Sequence, residues 1–304
     1  MTNKSVRFVK ESDNADAHGE AYGKIFGIDF QARQRWQCAL VRLAIVTRPF
    51  CYVEVLGCHG QQYQLDFLYN QYEYGQYSSY DQPGQSDMNH TMAELRTQLY
   101  SAVVADALDQ LGFRNQSPRV GLSPLTITNS VLLGRCKTTL WADMAHVDPQ
   151  PYELELKAVD ECQPDDIFIA AANGSMRSGI WGELLTTAAL NRGCVGAIVD
   201  GAIRDVNVIS SMSFPVWARG TCVYDSLNRQ RVIDIDVEVQ IEGVCFAPGN
   251  LVIADRDGIV VVPQSVEEET LRLALAKVQG ENIVRDAIRN GMKATDAFQK
   301  YGIL

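Results

Sequence analysis

The 304-residue sequence has few of the features that mark nucleic-acid-binding or membrane proteins. Its 27 Lys and Arg residues are outnumbered by 37 Asp and Glu residues, which gives a net charge of −10. No stretch is densely basic, as a nucleic-acid-binding surface usually is, so we expect no nucleic-acid partner. The longest apolar segment, residues 38–46, contains Arg42 and is far shorter than a membrane-spanning helix. We therefore expect no membrane association.

Paired cysteine motifs and a secretory leader are also missing. The 8 cysteines are dispersed, without the CxxC spacing of zinc sites and redox-active disulfides. In a chain of this size, dispersed cysteines in apolar runs indicate reduced, mostly buried thiols. The first twenty residues are polar and lack the apolar core of a secretory signal. Together these features predict a cytoplasmic protein.

The most informative stretch is residues 174–220, whose pattern predicts loop, helix, turn, strand and loop in that order. Apolar residues at helical spacing predict a helix that begins at Gly182 and Glu183. It should end at residues 191–193, because Gly193 suits the left-handed position after a helix. Residues 195–199 form a short apolar run typical of a buried strand. Asp200-Gly201 then predicts a turn.

The lengths of this helix and strand predict that distant residues meet. About ten helical residues at ~1.5 Å rise and about five strand residues at ~3.3 Å rise cover similar distances. If the two elements pack antiparallel, Arg204 and Asp205 lie beside the helix N-terminus, where Glu183 is. The N–H groups of Leu184 and Leu185 point out of that N-terminus and favour a bound anion.

These groups predict a site for a small 2-oxo acid. Arg204 can hold a carboxylate or an enolate oxygen by paired hydrogen bonds. Asp205 and Glu183 supply the hard oxygen ligands that Mg²⁺ or Mn²⁺ prefers. A surface ion pair next to a turn has the same spacing, so the residues alone leave both interpretations open.

Residues 182–206, GELLTTAALNRGCVGAIVDGAIRDV, resemble the signature of the RraA-like family. Residues 214–220 (FPVWARG) and 247–263 (APGNLVIADRDGIVVVP) are similar to two further family segments, and residues 103–112 (VVADALDQLG) and 132–136 (LLGRC) resemble its opening helix and first strand. The resemblance covers roughly residues 91–304. The family includes the class II 4-hydroxy-4-methyl-2-oxoglutarate (HMG) aldolases and related oxaloacetate decarboxylases. Its active members carry an acidic residue, twenty intervening residues and then Arg-Asp, as Glu183 and Arg204-Asp205 do here.

The resemblance implies a role for each of these residues. Asp205 matches the direct ligand of a divalent metal, and Arg204 matches the residue that contacts the pyruvyl part of the substrate and stabilises its enolate. Glu183 occupies a position that is usually Asp, where the carboxylate acts through metal-bound water. Gly182, Leu184 and Leu185 match the segment whose backbone amides hold the substrate carboxylate. We expect the extra methylene of Glu183 to affect the reaction rate and the substrate preference more than metal binding.

The implied fold is α/β, a layered core of mixed sheet flanked by helices, like the swivelling β/β/α phosphohistidine domain. The implied assembly is a homotrimer or homohexamer with sites at subunit interfaces. The implied function is a lyase, dependent on Mg²⁺, Mn²⁺ or another divalent metal, that releases pyruvate from a 4-hydroxy-2-oxo acid of the HMG type, with oxaloacetate decarboxylase side activity. The family also contains non-catalytic inhibitors of RNase E. The intact Arg-Asp pair favours the enzyme, whereas an extra N-terminal segment favours an interaction protein.

Residues 1–90 lie outside the resemblance. We expect them to form an N-terminal extension or a small accessory domain of unknown role, followed by the core at residues 91–304. Residues 30–46 have the pattern of an amphipathic helix, and residues 51–57 and 63–69 favour a hairpin. The segment between them and the core is rich in Tyr, Gln, Ser and Gly. That composition favours a linker over a tyrosine-lined binding surface.

Four further predictions concern the core. Residues 93–111 should form one helix, and residues 173–175 a loop that faces the site. Residues 251–254 and 259–262 should pair across a hairpin turn. A C-terminal helix should start with a capping box formed by Ser265 and Glu268. Arg219 is either a second cation at the site or one half of a structural ion pair.

Overall fold

The computed structural model describes residues 90–303, apart from Val120 and Thr128, and the backbone of five strands between residues 21 and 68. The chain divides into two compact units, Met1–Ser86 and Asp87–Leu304. No helix in the described part of the chain is both long enough and apolar enough to cross a membrane.

The first unit contains two antiparallel sheets. Its strands are β1 (Ala21–Ile25), β2 (Ile28–Ala32), β3 (Leu40–Ala44), β4 (Phe50–Leu56) and β5 (Gln62–Leu68). β1 pairs with β2, and β4 lies between β3 and β5. The predicted hairpin of residues 51–57 and 63–69 is confirmed as β4 and β5. The helix predicted at residues 30–46 is wrong, because β3 finds backbone partners on β4 and strand pairing overrides the helical period. The predicted linker lies outside the described residues.

The second unit mixes strands and helices. Its strands are β6 (Ser123–Pro124), β7 (Leu132–Asp143), β8 (Asp166–Trp181), β9 (Gly196–Ile203), β10 (Val216–Thr221), β11 (Gln230–Ile235), β12 (Val239–Ile241), β13 (Val244–Phe246), β14 (Leu251–Ala254) and β15 (Ile259–Val262). Its helices are α1 (Met92–Gln98), α2 (Ser101–Gln110), α3 (Glu153–Asp160), α4 (Glu183–Asn191), α5 (Val206–Ser211), α6 (Glu267–Arg289) and α7 (Ala294–Tyr301).

A curled sheet organises this unit. Its strands run in the order β15-β14-β7-β8-β9-β10-β6, and β11 pairs with the second half of β7. The central strands β7, β8, β9 and β10 are parallel to one another, whereas β14, β15, β11 and β6 are antiparallel to their neighbours. The mixed sheet arises because α3, α4 and α5 connect the parallel strands, as crossover connections must.

Strand β8 shows why the molecule is layered. Phe168, Ala170 and Ala172 pack into the cluster that holds α3, α4 and α5. The alternate residues of β8 point to the other face, where they pack against residues of β12, β13, β14 and β15. Because successive side chains of a strand point to opposite faces, a strand covered on both faces is apolar throughout. The predicted layered α/β core is therefore confirmed.

The two hairpin strands near the C-terminus behave as the sequence predicts. β14 and β15 pair over Leu251–Ala254 and Ile259–Val262, the residues expected. Their outer face carries Leu251, Ile253 and Val262, which pack against α1, α2 and α6.

The single helix predicted at residues 93–111 is wrong, because Leu99 and Tyr100 are extended and separate α1 from α2. Asp255 explains where the second helix begins. Its carboxylate accepts hydrogen bonds from the Ser101 N–H at 2.7 Å and the Ser101 hydroxyl at 2.6 Å. A carboxylate at a helix N-terminus satisfies free N–H groups and complements the helix dipole.

The predicted capping box at Ser265 and Glu268 is also wrong. Residues 264–266 form a 3₁₀ turn, and α6 begins after Val266 without a side-chain cap. The capping box of this unit lies instead at the start of α1, between Thr91 and Glu94.

Two loop predictions fail because strands continue through them. β8 runs through residues 173–175, where Asn173 (φ 50°) and Gly174 (φ 72°) form a bulge in the strand. β9 passes straight through Asp200 and Gly201, because the buried Asp200 carboxylate accepts from the Gly174 N–H and the Arg219 guanidinium. Arg219 is therefore half of a structural ion pair, the second of its two predicted roles.

Candidate active site

Three neighbouring parallel strands end at the same edge of the sheet. β8 ends at Trp181, β9 at Ile203 and β10 at Thr221, and Ile203 is in register with both of the other end residues. In open α/β sheets, the carboxyl ends of parallel strands form the usual position of a ligand site. The residues that follow these three strands therefore share one region of the surface.

The start of α4 meets the end of β9 in the arrangement that the sequence predicts. The Glu183 N–H donates to the Asp205 Oδ2 atom at 3.2 Å, and the Arg204 N–H donates to the Trp181 carbonyl at 2.9 Å. A Cβ atom on Gly182 would lie 2.8 Å from the Asp205 Oδ2 atom. The backbone of Gly182 is extended, so any residue could adopt its conformation, but a side chain there would displace the Asp205 carboxylate.

Two consecutive buried hydrogen bonds through the Thr186 side chain hold the first turn of α4 in place. The Trp181 indole donates to the Thr186 hydroxyl at 2.8 Å, and that hydroxyl donates to the Gly182 carbonyl at 2.9 Å. No acceptor within the described chain occupies the N–H groups of Leu184 and Leu185. Free N–H groups at a helix N-terminus form a site for an anionic ligand.

Arg204 lies between two carboxylates. Its Nη2 atom is 2.7 Å from the Asp225 Oδ2 atom, and its Nε atom is 3.8 Å from the Asp205 Oδ2 atom. The side chain is about one-third exposed. The Glu183 carboxylate has no hydrogen-bond or ion-pair partner among the described residues. It is therefore available to a ligand.

Asp205 has a left-handed backbone conformation, with φ 58° and ψ 30°. This conformation is unfavourable for residues other than glycine, although Asp and Asn adopt it more readily than most. It occurs between the end of β9 and the start of α5, and directs the chain into that helix. Strained residues of this kind cluster at functional sites.

Asp225 and Tyr152 were not predicted from the sequence. The Tyr152 hydroxyl donates to the Asp225 Oδ1 atom at 2.6 Å, and the Leu227 N–H donates to the same atom at 2.8 Å. The available signal was positional, because Asp225 follows the third parallel strand by four residues, close to the edge where β8 and β9 also end. Tyr152 gave no such signal, since it belongs to the loop before α3.

Comparison with known proteins identifies the chain. The family model described as RraA-like, Aldolase/RraA, matches residues 101–261, which is more than half of the sequence. The chain belongs to the RraA-like family. The matched residues include every group at the edge described above, with Tyr152 and Asp225 among them.

Three relatives show how far the RraA-like similarity extends. The "Putative 4-hydroxy-4-methyl-2-oxoglutarate aldolase" of Halalkalibacterium halodurans is 33% identical over 64% of this chain and 87% of its own length. Protein DlpA of Legionella pneumophila is 27% identical over 69% of this chain but only 34% of its own length. A solved structure of Streptomyces coelicolor RraAS2, described as an unusual member of the RNase ES inhibitor RraA protein family, has a TM-score of 0.57 and 30% identity. It covers 64% of this chain and 94% of that one.

In this RraA-like site the Asp205 and Asp225 carboxylates lie on either side of the Arg204 guanidinium, and Glu183 begins the helix beside them. Such a site favours a cation. Among the described residues, no group of three or more His, Cys, Asp and Glu side chains could by itself enclose a metal. The donors fit Mg²⁺ or Mn²⁺ nonetheless, because Mg²⁺ usually keeps several waters and takes only one or two protein carboxylates.

A buried carboxylic acid lies behind the site. Glu155 is 6% exposed, and the Ser226 hydroxyl lies 3.5 Å from its carboxylate. Burial, followed by the nearby charge of Asp225, raises the pKa of Glu155 to about 8. Partial burial on its own would raise the pKa of the Asp225 carboxyl. The Tyr152 hydroxyl, the Leu227 N–H and Arg204 nevertheless lower the pKa of the Asp225 carboxyl below its usual value. At neutral pH, Glu155 is therefore mainly protonated beside an ionised Asp225.

The raised pKa of Glu155 predicts a pH-dependent stability. The pKa of the Glu155 carboxyl is 4.5 in the unfolded chain and about 8 in the folded protein. Because the folded state holds the proton more tightly, protonation of Glu155 favours folding, and this contribution is complete below pH 4.5. That stabilisation is lost as the pH rises to about 8, by at most about 1.4 kcal/mol per pH unit. Urea unfolding of wild type and Glu155→Gln at pH 5, 6.5 and 8 measures how the free energy of unfolding changes with pH. The wild type should lose stability relative to Glu155→Gln as pH rises, and parallel curves would contradict the expectation.

Proposed function

We propose that this RraA-like protein is a divalent-metal-dependent lyase that cleaves a 4-hydroxy-2-oxo acid of the HMG type. The products would be pyruvate and a second carbonyl compound, and oxaloacetate would be decarboxylated as a side activity. One observation carries the proposal. The 3.2 Å contact from the Glu183 N–H to Asp205 brings the Asp205 carboxylate and Arg204 to the N-terminus of α4, where Glu183 and the free helix N–H groups lie. The name of the Halalkalibacterium halodurans relative supports the same activity.

The chain's own residues would act on the substrate as follows. The N–H groups of Leu184 and Leu185, together with the backbone at Gly182, would bind the substrate carboxylate. Arg204 would stabilise the negative charge that reaches the C2 oxygen as the bond between C3 and C4 breaks, because preorganised donors act where charge develops. Glu183, with its unpartnered carboxylate, would accept the proton of the C4 hydroxyl and later return a proton to C3. Decarboxylation of oxaloacetate would use Arg204 for the same charge.

Asp205 would hold Mg²⁺ or Mn²⁺ directly and Glu183 would hold it through water. When bound, the metal would supply Lewis-acid polarisation of the 2-oxo acid. The Asp205 carboxylate at the N-terminus of α4, next to Glu183, supports this part of the proposal.

The proposal includes a homotrimer or homohexamer in the cytoplasm, without nucleic-acid partners. Large apolar side chains around the site support an assembly. Leu184 is 76% exposed, Val223 83% and Tyr224 60%. A cluster of exposed apolar residues commonly marks a protein interface. Sedimentation velocity of the full chain measures its mass in solution, and a monomer at micromolar concentration would contradict this part.

Pyruvate release tests the reaction. Pyruvate would be followed by NADH oxidation with lactate dehydrogenase, using HMG and oxaloacetate with Mg²⁺, with Mn²⁺ and with EDTA. We expect turnover with either metal and its loss with EDTA, restored by excess Mg²⁺. The variant Asp205→Ala should be inactive at every metal concentration, while the matched variant Asp257→Ala, in the β14–β15 turn, should retain wild-type turnover. Absence of turnover with both substrates and both metals would contradict the proposal and favour a non-catalytic interaction protein, as the description of RraAS2 suggests.

A further inference from the structure

The Arg204 guanidinium has a second carboxylate partner that the proposed reaction does not require. Asp225 reaches the Nη2 atom at 2.7 Å from the loop that follows β10. The proposed metal ligand Asp205 lies on the other side, 3.8 Å from the Nε atom.

The Asp225 carboxylate is itself fixed. Its Oδ1 atom accepts from the Tyr152 hydroxyl at 2.6 Å and from the Leu227 N–H at 2.8 Å, so its Oδ2 atom is the one that faces Arg204. The loop that carries Asp225 is attached to β8, because the Gly179 N–H donates to the Tyr224 carbonyl at 2.8 Å. A Cβ atom on Gly179 would lie 2.5 Å from the Cys222 carbonyl and 3.0 Å from the Arg204 Cβ atom. The loop, β8 and Arg204 therefore pack without free space.

We infer that Asp225, oriented by Tyr152, is a positioning residue that holds the Arg204 guanidinium in the direction needed to meet the developing enolate oxygen. The expected effect of Asp225 on turnover rests on the proposed function. Its effect on the orientation of the Arg204 side chain does not. An arginine side chain has many rotamers, and fixing it before the substrate binds removes an entropic cost from the reaction. Two carboxylates on different elements fix it better than one, because they constrain both the position and the plane of the guanidinium.

A positioning role predicts a specific kinetic pattern. Asp225→Asn keeps the shape of the side chain and removes its charge, so Arg204 remains cationic and still attracts an anionic substrate. We expect kcat to fall by roughly tenfold or more while KM changes less, because misplacement of a catalytic group costs mainly transition-state stabilisation. Tyr152→Phe should give a smaller decrease, and Asp225→Glu should recover part of the activity. The matched control is Asp165→Asn, which removes a similarly exposed Arg–Asp pair with Arg96 at the opposite end of β8.

Chemical labelling of Arg204 tests the same contact without any substrate. Phenylglyoxal modification of the full-length protein would be followed by peptide mass spectrometry, with the exposed Arg256 as the internal reference. We expect Arg204 to react several-fold faster in Asp225→Asn than in the wild type and in Asp165→Asn. If Asp225→Asn does not fold, as judged by its melting curve, Tyr152→Phe serves for both measurements.

The two measurements separate the two proposals. Unchanged labelling and unchanged kcat in Asp225→Asn, or in Tyr152→Phe as its replacement, would overturn the positioning role. A wild-type protein that turns over neither substrate, but whose Arg204 becomes reactive in Asp225→Asn, would overturn the proposed reaction and leave the positioning of Arg204 supported. Equal decreases in Asp225→Asn and Asp165→Asn would indicate a general loss of stability and would also overturn the positioning role.

Discussion

Replacing Arg204 with alanine should lower kcat for pyruvate release by roughly 10²–10³-fold, the usual effect of removing a donor that stabilises developing negative charge. Arg204 directly follows β9, and its guanidinium lies 3.8 Å from the Asp205 carboxylate at the start of α4. Without it, two carboxylates face the developing enolate and oppose its charge. Steady-state kinetics with HMG and with oxaloacetate measure the effect, and both reactions should decline together because both form the same enolate.

A lysine at position 204 should restore little of the activity. It keeps the charge, but its single nitrogen cannot replace both the Nη2 atom that contacts Asp225 and a second nitrogen that contacts a substrate oxygen. The control is Arg256→Ala, which removes an exposed arginine in the turn between β14 and β15. It should match the wild type. Near-wild-type turnover of Arg204→Ala would remove the basis of the proposed mechanism.

Replacing Trp181 with alanine should destabilise the fold by about 3–5 kcal/mol, the range for deleting a large buried aromatic side chain. Trp181 is fully buried, and its ring lies 4.7 Å from the ring of Phe168 and 6.1 Å from that of Phe214. The truncation leaves a cavity among these rings and leaves the Thr186 hydroxyl without its indole donor. Urea unfolding at constant pH measures the change in the free energy of unfolding.

The same substitution should also affect activity, since the hydrogen bond from Trp181 to Thr186 holds the first turn of α4. Trp181→Phe separates the two effects, because it keeps most of the buried ring and removes only the indole donor. Phe298→Ala is the control for aromatic truncation, since Phe298 is 55% exposed on α7. A loss of less than about 1 kcal/mol in Trp181→Ala would contradict the importance of this cluster.

The helix and strand around the site could be predicted from the sequence because their signals are local. The helical spacing after Gly182 and the glycine at 193 gave α4 its limits, and the apolar run at 195–199 gave the core of β9. The similar lengths of these two elements then placed Arg204 and Asp205 beside Glu183. The roles of these residues remain predictions, since they depend on a substrate and a metal.

The failures have a common physical origin. Asp200-Gly201 is a turn signal in isolation, but Arg219 and the Gly174 N–H satisfy the buried Asp200 carboxylate, so the strand continues. The break at Leu99 and Tyr100 depends on Asp255, more than 150 residues further along the chain. The contact of Asp225 with Arg204 depends on the register of three strands. None of these long-range contacts leaves a periodic pattern near the affected residue.

The left-handed conformation of Asp205 has an evolutionary consequence. Glycine adopts φ 58° without penalty and asparagine adopts it readily, whereas the left-handed conformation costs other residues about 1–2 kcal/mol. A single mutation from Asp205 to glycine would therefore remove the proposed metal ligand and relieve backbone strain at the same time, and one to asparagine would remove the carboxylate at no added backbone cost. A lineage released from selection for turnover would lose the carboxylate without a backbone penalty, although the Glu183 N–H would lose its acceptor. Catalytic and non-catalytic descendants of one fold would then be separated by a single substitution at this position.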